Sequence, residues 1–495
     1  MKSYFLPFLI LTSIFFGCQN TQNEKSGAEL TFDSLLLVQK ESWNIPGVAI
    51  GILRNDSVVY AKGLGVKSIK TGDAITTKSI FHMASVSKPF TATAIVQLLE
   101  QGKLDLNDKL IEYIPYFKME DTRYREITIK HILTHTSGIP DVDDYEWSQP
   151  QYDEGAAKRY ASSFSEIILD FEPGTEYNYS NAAYDLLANV ISSLSGMTFE
   201  AYVKKFIFEP VGMTGSTFYT PEVPEDLATT PHILDDSLQI AAGHHYPYNR
   251  RHAPSSTLQS NVEDMLKWAR VNLNRGEIDG KRIYSEDSYE LLTSSQVKPE
   301  WGVNRALGWG IREVGEYKVI NHSGGDDGYL SFFAFVPEKN LGFVMMANND
   351  FYWSGDASRI WMQQLLLGEV EKEWKVSIGY KMKDYILTEG IEKCKEVYFE
   401  TAKEDSIYWC EPKFLNELGY GLLWRGHKEA ALDIFQFAVE IEPDNATWNE
   451  SVGEAYLALG EKENAIEWYQ KAVELNPEQE YAKAKLMELG AKEHR

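Results

Sequence analysis

Three cysteines in 495 residues are too few for a disulfide framework or a cysteine-rich zinc site. Basic charge is also scarce: 48 Lys and Arg stand against 73 Asp and Glu, a net charge of −25. No basic stripe with interleaved aromatics interrupts that acidity, which repels phosphate backbones and excludes nucleic acid as a partner. The chain has no Gly-x-Ser-x-Gly elbow, which argues against a conventional Ser-His-Asp hydrolase. Its long apolar run, Tyr4 to Phe16, is too short to span a bilayer as a stable helix. What the chain does have is 43% hydrophobic and 13% aromatic residues, enough to order globular cores, and a length that implies two or three of them.

The N-terminus reads as an export segment: Lys2, the apolar run, Gly17-Cys18, then a polar stretch from Gln19 to Ser26. Its end resembles a bacterial lipoprotein signal. That resemblance implies a lipoprotein-type signal over residues 1–18, with Cys18 becoming the lipidated first residue of the mature protein, and a bacterial cell-envelope location, periplasmic or outer-membrane associated. Contact with the membrane would run through the lipid anchor alone. Cys394 and Cys410 fall in a helical region and read as core residues, with a bridge between them left open.

From Leu30 to Gly368 helical and strand periodicities alternate, the pattern of a mixed α+β domain. Gly47 to Leu53 and Ser57 to Gly63 read as a hairpin turning at Asn55-Asp56. Four later strands are expected at Leu307 to Arg312, Tyr317 to Asn321, Leu330 to Val336 and Leu341 to Ala347. Both ends of the domain then build one sheet, with helices inserted between them, among them Phe90 to Gln101, Ala182 to Leu194 and Val262 to Asn274. The last is expected to open on a capping box from Ser260 to Glu263.

After a charged linker (369–379) the chain turns helical and repeats itself. Gly419, Ala431 and Pro443 recur as Gly453, Ala465 and Pro477, always 34 residues on, the period of tetratricopeptide repeats. The helical domain runs over 380–495, with clear units at 412–445 and 446–479. Tyr380 to Cys410 is expected to supply a degenerate earlier pair, and Tyr481 to Leu489 a capping helix. Such repeats offer a protein or peptide partner a concave face, or pack onto the neighbouring domain.

Chemistry concentrates at Ala84-Ser85-Val86-Ser87-Lys88-Pro89. Residues three apart on a helix share a face, so a helix starting near Ser85 sets its hydroxyl beside the Lys88 amine. Pro89 fits only a first turn, which fixes the start independently. Ser85 then sits at the positive end of the helix, where backbone N–H groups stabilise an oxyanion. A desolvated lysine has a lowered pKa and can take the serine proton. Ser87 points away from Lys88 and reads as a helix-start hydrogen-bonding group.

Ser85-Val86-Ser87-Lys88, then Tyr179-Ser180-Asn181, then His322-Ser323-Gly324 resembles the ordered motifs of class C β-lactamases and related penicillin-binding serine hydrolases. The phrases His135-Thr136-Ser137-Gly138 and Glu172-Pro173-Gly174 fit the same family. The resemblance covers residues 30–368 and implies a β-lactamase/transpeptidase-like antiparallel sheet flanked by helices. It also implies that Ser85 is acylated, that Lys88 shares its proton, and that Tyr179 is base and acid, its ionised form held by Lys88. Asn181 would bond a substrate amide or the lysine. Ser323 and Gly324 would line the cleft behind His322, and the Gly325 N–H would join that of Ser85 in an oxyanion hole. No cofactor is implied.

Class C enzymes carry Lys where this chain has His322, a weaker carboxylate anchor. A small amide, peptide or ester is therefore the expected substrate, D-alanyl carboxypeptidase-like or esterase-like, ahead of a β-lactam. Tyr177 lacks an Asn two positions on and reads as packing, Ser180 as a helix cap, and His135 as part of a helix terminus. His244, His245 and His252 read as a cleft-edge loop rather than metal ligands, and no metal site is expected. The rival reading is a catalytically idle hydrolase fold that presents its repeats to a partner.

Overall fold

The computed structural model describes residues 27–142, 144–299, 303–350, 356–367, 376–403 and 408–491. The leader and Cys18 lie outside these, as does the stretch 369–375 of the expected linker.

A seven-stranded antiparallel sheet organises the first domain. It comprises β1 (Gly47–Arg54), β2 (Ser57–Gly65), β3 (Asn304–Arg305), β4 (Gly310–Val314), β5 (Tyr317–Asp326), β6 (Tyr329–Val336) and β7 (Leu341–Ala347), in the order β2-β1-β7-β6-β5-β4-β3. Chain ends meet in it: β1 pairs with β7 from Val48↔Ala347 to Arg54↔Leu341. The β1–β2 turn falls on Asn55 and Asp56, both at positive φ (50° and 61°), the conformation of a two-residue hairpin. The strand expected at Leu307 to Arg312 starts later, at Gly310. The one expected to stop at Asn321 runs on to Asp326, so the third motif lies inside β5.

One face of the sheet packs on α2 (Ser87–Glu100), α3 (Asn181–Asp185), α4 (Leu187–Ser195) and α5 (Val262–Leu273). The single helix expected from Ala182 breaks at Leu186 into α3 and α4. Helix α5 is capped by Asn261, whose side chain accepts from the Asp264 N–H. The Ser260 box is thus a correction: Ser260 lies one residue earlier on a buried bridge with Phe81, where its hydroxyl bonds Ser216.

The opposite face is covered by α1 (Gly27–Ser42) and α6 (Asp356–Leu367), with Trp361 stacked on Phe343 at 5.9 Å. This core continues without a break through Val376, Ile378, Met382, Phe414 and Leu418 into the helical domain. Residues 376–379 are therefore not linker but buried seam, and Val376–Ser377 pairs in parallel with Tyr408–Trp409. The helices that follow are α7 (Gly379–Ile386), α8 (Gly390–Lys403), α9 (Pro412–Leu423), α10 (Lys428–Ile441), α11 (Ala446–Leu459), α12 (Lys462–Leu475) and α13 (Glu480–Glu488). The 34-residue echo has a steric meaning. A Cβ on Gly419 would meet the Phe435 ring at 2.3 Å, and one on Gly453 the Tyr469 ring at 3.0 Å. Cys394 and Cys410 are free thiols.

The two domains are also tied by polar contacts. Tyr380 donates to the Trp43 carbonyl at 2.5 Å, Arg425 Nε to the Leu234 carbonyl at 3.3 Å, and His427 bonds the Asp236 carbonyl.

Candidate active site

Helix α2 begins at Ser87 with Val86 as its N-cap, and Ser85 sits in the turn just before it. Bonds from the N–H of Ser87 to the Ala84 carbonyl and of Lys88 to the Ser85 carbonyl form that turn. Ala84 adopts φ 47°, a left-handed conformation that L-residues hold only when their surroundings impose it. Here the Met83 carbonyl accepts from Ser331 Oγ at 2.6 Å and the Met83 N–H donates to Leu258, which clamps the approach to Ser85. Ser87 does sit at the helix start, but its hydroxyl accepts from the Leu258 N–H rather than capping its own helix.

Lys88 is fully buried, and its Nζ reaches Ser85 Oγ at 3.1 Å, Asn181 Oδ1 at 2.5 Å and the Ser255 carbonyl at 2.9 Å. Asn181 cannot turn round, because its Nδ2 donates to Asp141 Oδ2 at 3.0 Å and its backbone N–H to Asp141 Oδ1 at 2.6 Å. Burial drags the Lys88 pKa down to about 7, against the charges of Asp185, Asp141 and Asp326, and with help from Arg305. The partners suit a neutral amine: two N–H bonds serve Asn181 and Ser255, which only accept, and the lone pair faces the one partner able to donate, the Ser85 hydroxyl.

Beneath this amine lies a polar scaffold that the motifs do not announce. Asp185 Oδ1 accepts from the Ser255 N–H at 3.2 Å, and Asp185 Oδ2 lies 2.6 Å from His252 Nδ1. Arg251 Nε donates to His252 Nε2 at 2.9 Å, so Nδ1 carries the proton toward Asp185. His252 is thus wholly buried, apart from the exposed His244 and His245, which corrects its reading as part of a cleft-edge loop. Asp185 lies four residues after Asn181 on the same helical face, which was its one available signal.

Tyr179 lies beside Ser85, with the Lys88 amine 4.8 Å from its ring centroid. Burial pushes its pKa up, while a hydrogen bond with Ser85 and the Arg305 guanidinium pull the other way. Arg305 thus joins Lys88, the cation the sequence offered as candidate, beside this phenol. Arg305 stands 5.8 Å from the Tyr179 ring and 5.5 Å from that of Tyr177, and its buried Nε has no hydrogen-bond partner among the described residues. His135 follows the short helix Ile129–Leu133, at φ 57°. Its ring stacks on Tyr179 at 4.1 Å and on Tyr184 at 4.9 Å, and its Nδ1 accepts from the Ser180 N–H. Burial, followed by the nearby charges of Lys88 and Arg305, holds this imidazole well below its ordinary pKa. Ser180 caps α3 by accepting from the Ala183 N–H.

Opposite stands β5. Its partner β4 reaches only Gly310, paired with Asn321, so His322 to Asp326 pair with β6 alone and leave an edge open toward Ser85. Gly324 presses on the Ser85 turn: a Cβ there would lie 2.3 Å from the Met83 carbonyl and 3.0 Å from the Ser85 N. Ser323 and Gly325 are the exposed positions of this stretch. His322 is buried, and its Nδ1 donates to the Ser323 carbonyl at 2.7 Å. Burial and the charges of Lys88 and Arg305 drive its pKa down to about 3, so the ring is neutral. Asp326, four residues after His322, accepts from His82 at 2.7 Å and from Ser256, fixing the strand end.

Known proteins carry the same plan. Protein flp of Staphylococcus aureus (strain NCTC 8325 / PS 47) is 29% identical over 320 residues, 64% of this chain and 62% of that protein. The chain thus spans less than two thirds of that relative's length. Penicillin-binding protein 4 of Amycolatopsis lactamdurans is 26% identical over 339 residues, 64% of this chain and 83% of that one. Among solved structures, the octameric penicillin-binding protein homologue from Pyrococcus abyssi superposes with a TM-score of 0.61 at 28% identity, covering 69% of this chain and 78% of that one. A tetratricopeptide-repeat model matches residues 451–479. Because the Beta-lactamase family model matches residues 33–367, well over half its length, the chain belongs to the β-lactamase family.

Proposed function

We propose that this chain is a serine acyl hydrolase acting on a small amide, peptide or ester through an acyl-Ser85 intermediate. The observation that carries the reading is the buried Lys88 amine, held 3.1 Å from Ser85 Oγ with its pKa lowered to about 7. In the first step Ser85 Oγ bonds the substrate carbonyl carbon as its proton passes to Lys88 Nζ. The oxyanion turns toward the N–H groups of Ser85 and Gly325. The bond to the leaving group then breaks as that group takes a proton from the Tyr179 hydroxyl, which Lys88 re-protonates. Water repeats the sequence on the acyl-enzyme and releases the acid. With its pKa raised, Tyr179 is proton donor and relay, and Lys88 is the resting base.

A neutral His322 cannot anchor a carboxylate by charge, whereas Arg305 has an unpaired Nε beside Tyr179. This favours acyl donors with a polar or anionic end reaching Arg305 over efficient β-lactam turnover. The test is labelling by a fluorophosphonate and by a fluorescent penicillin, followed by a screen of D-amino peptides, short esters and nitrocefin. The expected result is Ser85-dependent labelling, with peptide or ester turnover faster than that of nitrocefin. Absence of labelling in wild type, or labelling that survives Ser85→Ala, overturns the reading in favour of an idle fold. Envelope anchoring rests on the leader, and loss of fatty-acyl incorporation in Cys18→Ser checks it.

A further inference from the structure

Helix α9 does not lie flush on the first domain. Between it and the β5–β6 turn is a cavity of about 760 Å³, lined by Asp327, Asp350, Asn416, Glu417, Trp424 and Arg425, with Leu234 and Leu330 among its apolar contacts. Its wall belongs to both domains, so neither alone would form it.

The chemistry of the wall is one-sided. Asp350 Oδ1 and Asn416 Oδ1 are buried oxygens with no hydrogen-bond partner among the described residues, and Asn416 is only 9% exposed. Burying an acceptor unpaired carries a desolvation cost that an incoming N–H donor would remove. Three carboxylates face the cavity against one cation, Arg425, whose Nε and Nη1 are already donated to the Leu234 and Gly421 carbonyls. At the rim Trp424 is 72% exposed, tilted over Tyr420 at 5.7 Å, an aromatic face that attracts cations.

A second cavity adjoins it. Tyr420 and Trp424 also line a groove of about 650 Å³ along the repeats, with Glu450, Glu454 and Tyr481. Tyr469 also borders this groove, and its buried hydroxyl lacks a hydrogen-bond partner among the described residues. One extended ligand could thus run from the repeats to Asp327, two residues past Gly325 at the open edge of β5.

We infer that the cavity between the two domains and the groove adjoining it at Tyr420 and Trp424 form a binding site for an extended peptide segment bearing lysine or arginine side chains. The ammonium or guanidinium would bond the unpaired oxygens of Asp350 and Asn416 and lie against Trp424. A peptide rather than a small free amine is favoured by the two neighbouring cavities and by the aromatic wall they share. The inference stands apart from acyl transfer, since binding needs no chemistry at Ser85.

The test titrates the full chain into a dansyl-labelled, C-amidated octapeptide of alternating lysine and glycine, read by fluorescence anisotropy. The same peptide with glutamate for lysine, and free spermidine as competitor, form the other arms. Saturable binding of the lysine peptide alone is expected, at least tenfold weaker in Asp327→Asn/Trp424→Ala but unchanged in Glu463→Gln/Glu467→Gln, which removes two exposed charges from the outer side of α12. Circular dichroism checks that both double variants keep the wild-type fold. Equal weakening by both pairs would reduce the effect to net charge and overturn the site. So would binding of the glutamate peptide, displacement by spermidine at equal concentration, or no binding at all.

Discussion

The two faces of the sheet are held by different physics. On the α2 face, behind Ser85, a few polar partners fix each group: Lys88 donates to Asn181 and the Ser255 carbonyl and faces the Ser85 hydroxyl, Asn181 is oriented by one carboxylate, and Asp185 by His252 and the Ser255 N–H. On the other face, a broad apolar seam runs from Trp361 and Phe343 through Phe414 to the repeats. A polar network fails when one member goes, because its buried partners are left unpaired. An apolar seam loses stability in proportion to what is removed and keeps its plan. The comparison teaches where to look for loss of chemistry and where for loss of stability.

The sharpest challenge to that division is Lys88→Met. Acylation of Ser85, followed by fluorophosphonate labelling, is expected to slow by about 10²–10⁴-fold, with a smaller fall in melting temperature near pH 7 from the Asn181 and Ser255 acceptors left unpaired. The melting behaviour has a sign. With the folded pKa at about 7 against an ordinary 10.5, the unfolded chain binds more protons between those values. Stability from this group therefore rises with pH across that window in wild type, and the slope disappears in the variant.

Trp361→Ala should do the reverse. It is expected to cost about 3–5 kcal/mol of stability in chemical denaturation and to leave the labelling rate of the folded fraction unchanged. A slowed rate would break the division. Within the repeats, Gly419→Ala forces a methyl against the Phe435 ring and should cost about 1–3 kcal/mol. Gly453→Ala, with more room at Tyr469, should stay near neutral because alanine gains about 1 kcal/mol in helix propensity. The smallest expected effect is in Asp185→Asn. Removing the charge that most raises the Lys88 pKa should move the midpoint of the labelling-rate profile below pH 7, with activity appearing at more acid pH. A midpoint that stays put would mean that Asp185 only packs.

The sequence made local features readable and left assembled ones dark. Ser85 and Lys88 stand three residues apart in a first turn, and the Gly419/Gly453 echo is a matter of counting. Asn55-Asp56 marked its hairpin because that turn needs positive φ. Arg305 and His252 carried no such signal. One earns its place by lying over Tyr179 and the other by lying behind Ser255, and both are facts of tertiary packing between segments dozens of residues apart. Asn261 displaced Ser260 as cap because Ser260 is committed to a bridge with Phe81. The seam was misread as linker because charge at 369–375 masks the apolar residues that follow, Val376 and Ile378.

That seam has a thermodynamic corollary. Since the helices from Gly379 onward complete the cover over one wall of the sheet, β-lactamase-family half and repeat half should unfold in a single calorimetric transition. Cutting between them would expose a sticky apolar wall, so the repeats behave less as a detachable accessory than as half of one cooperative body.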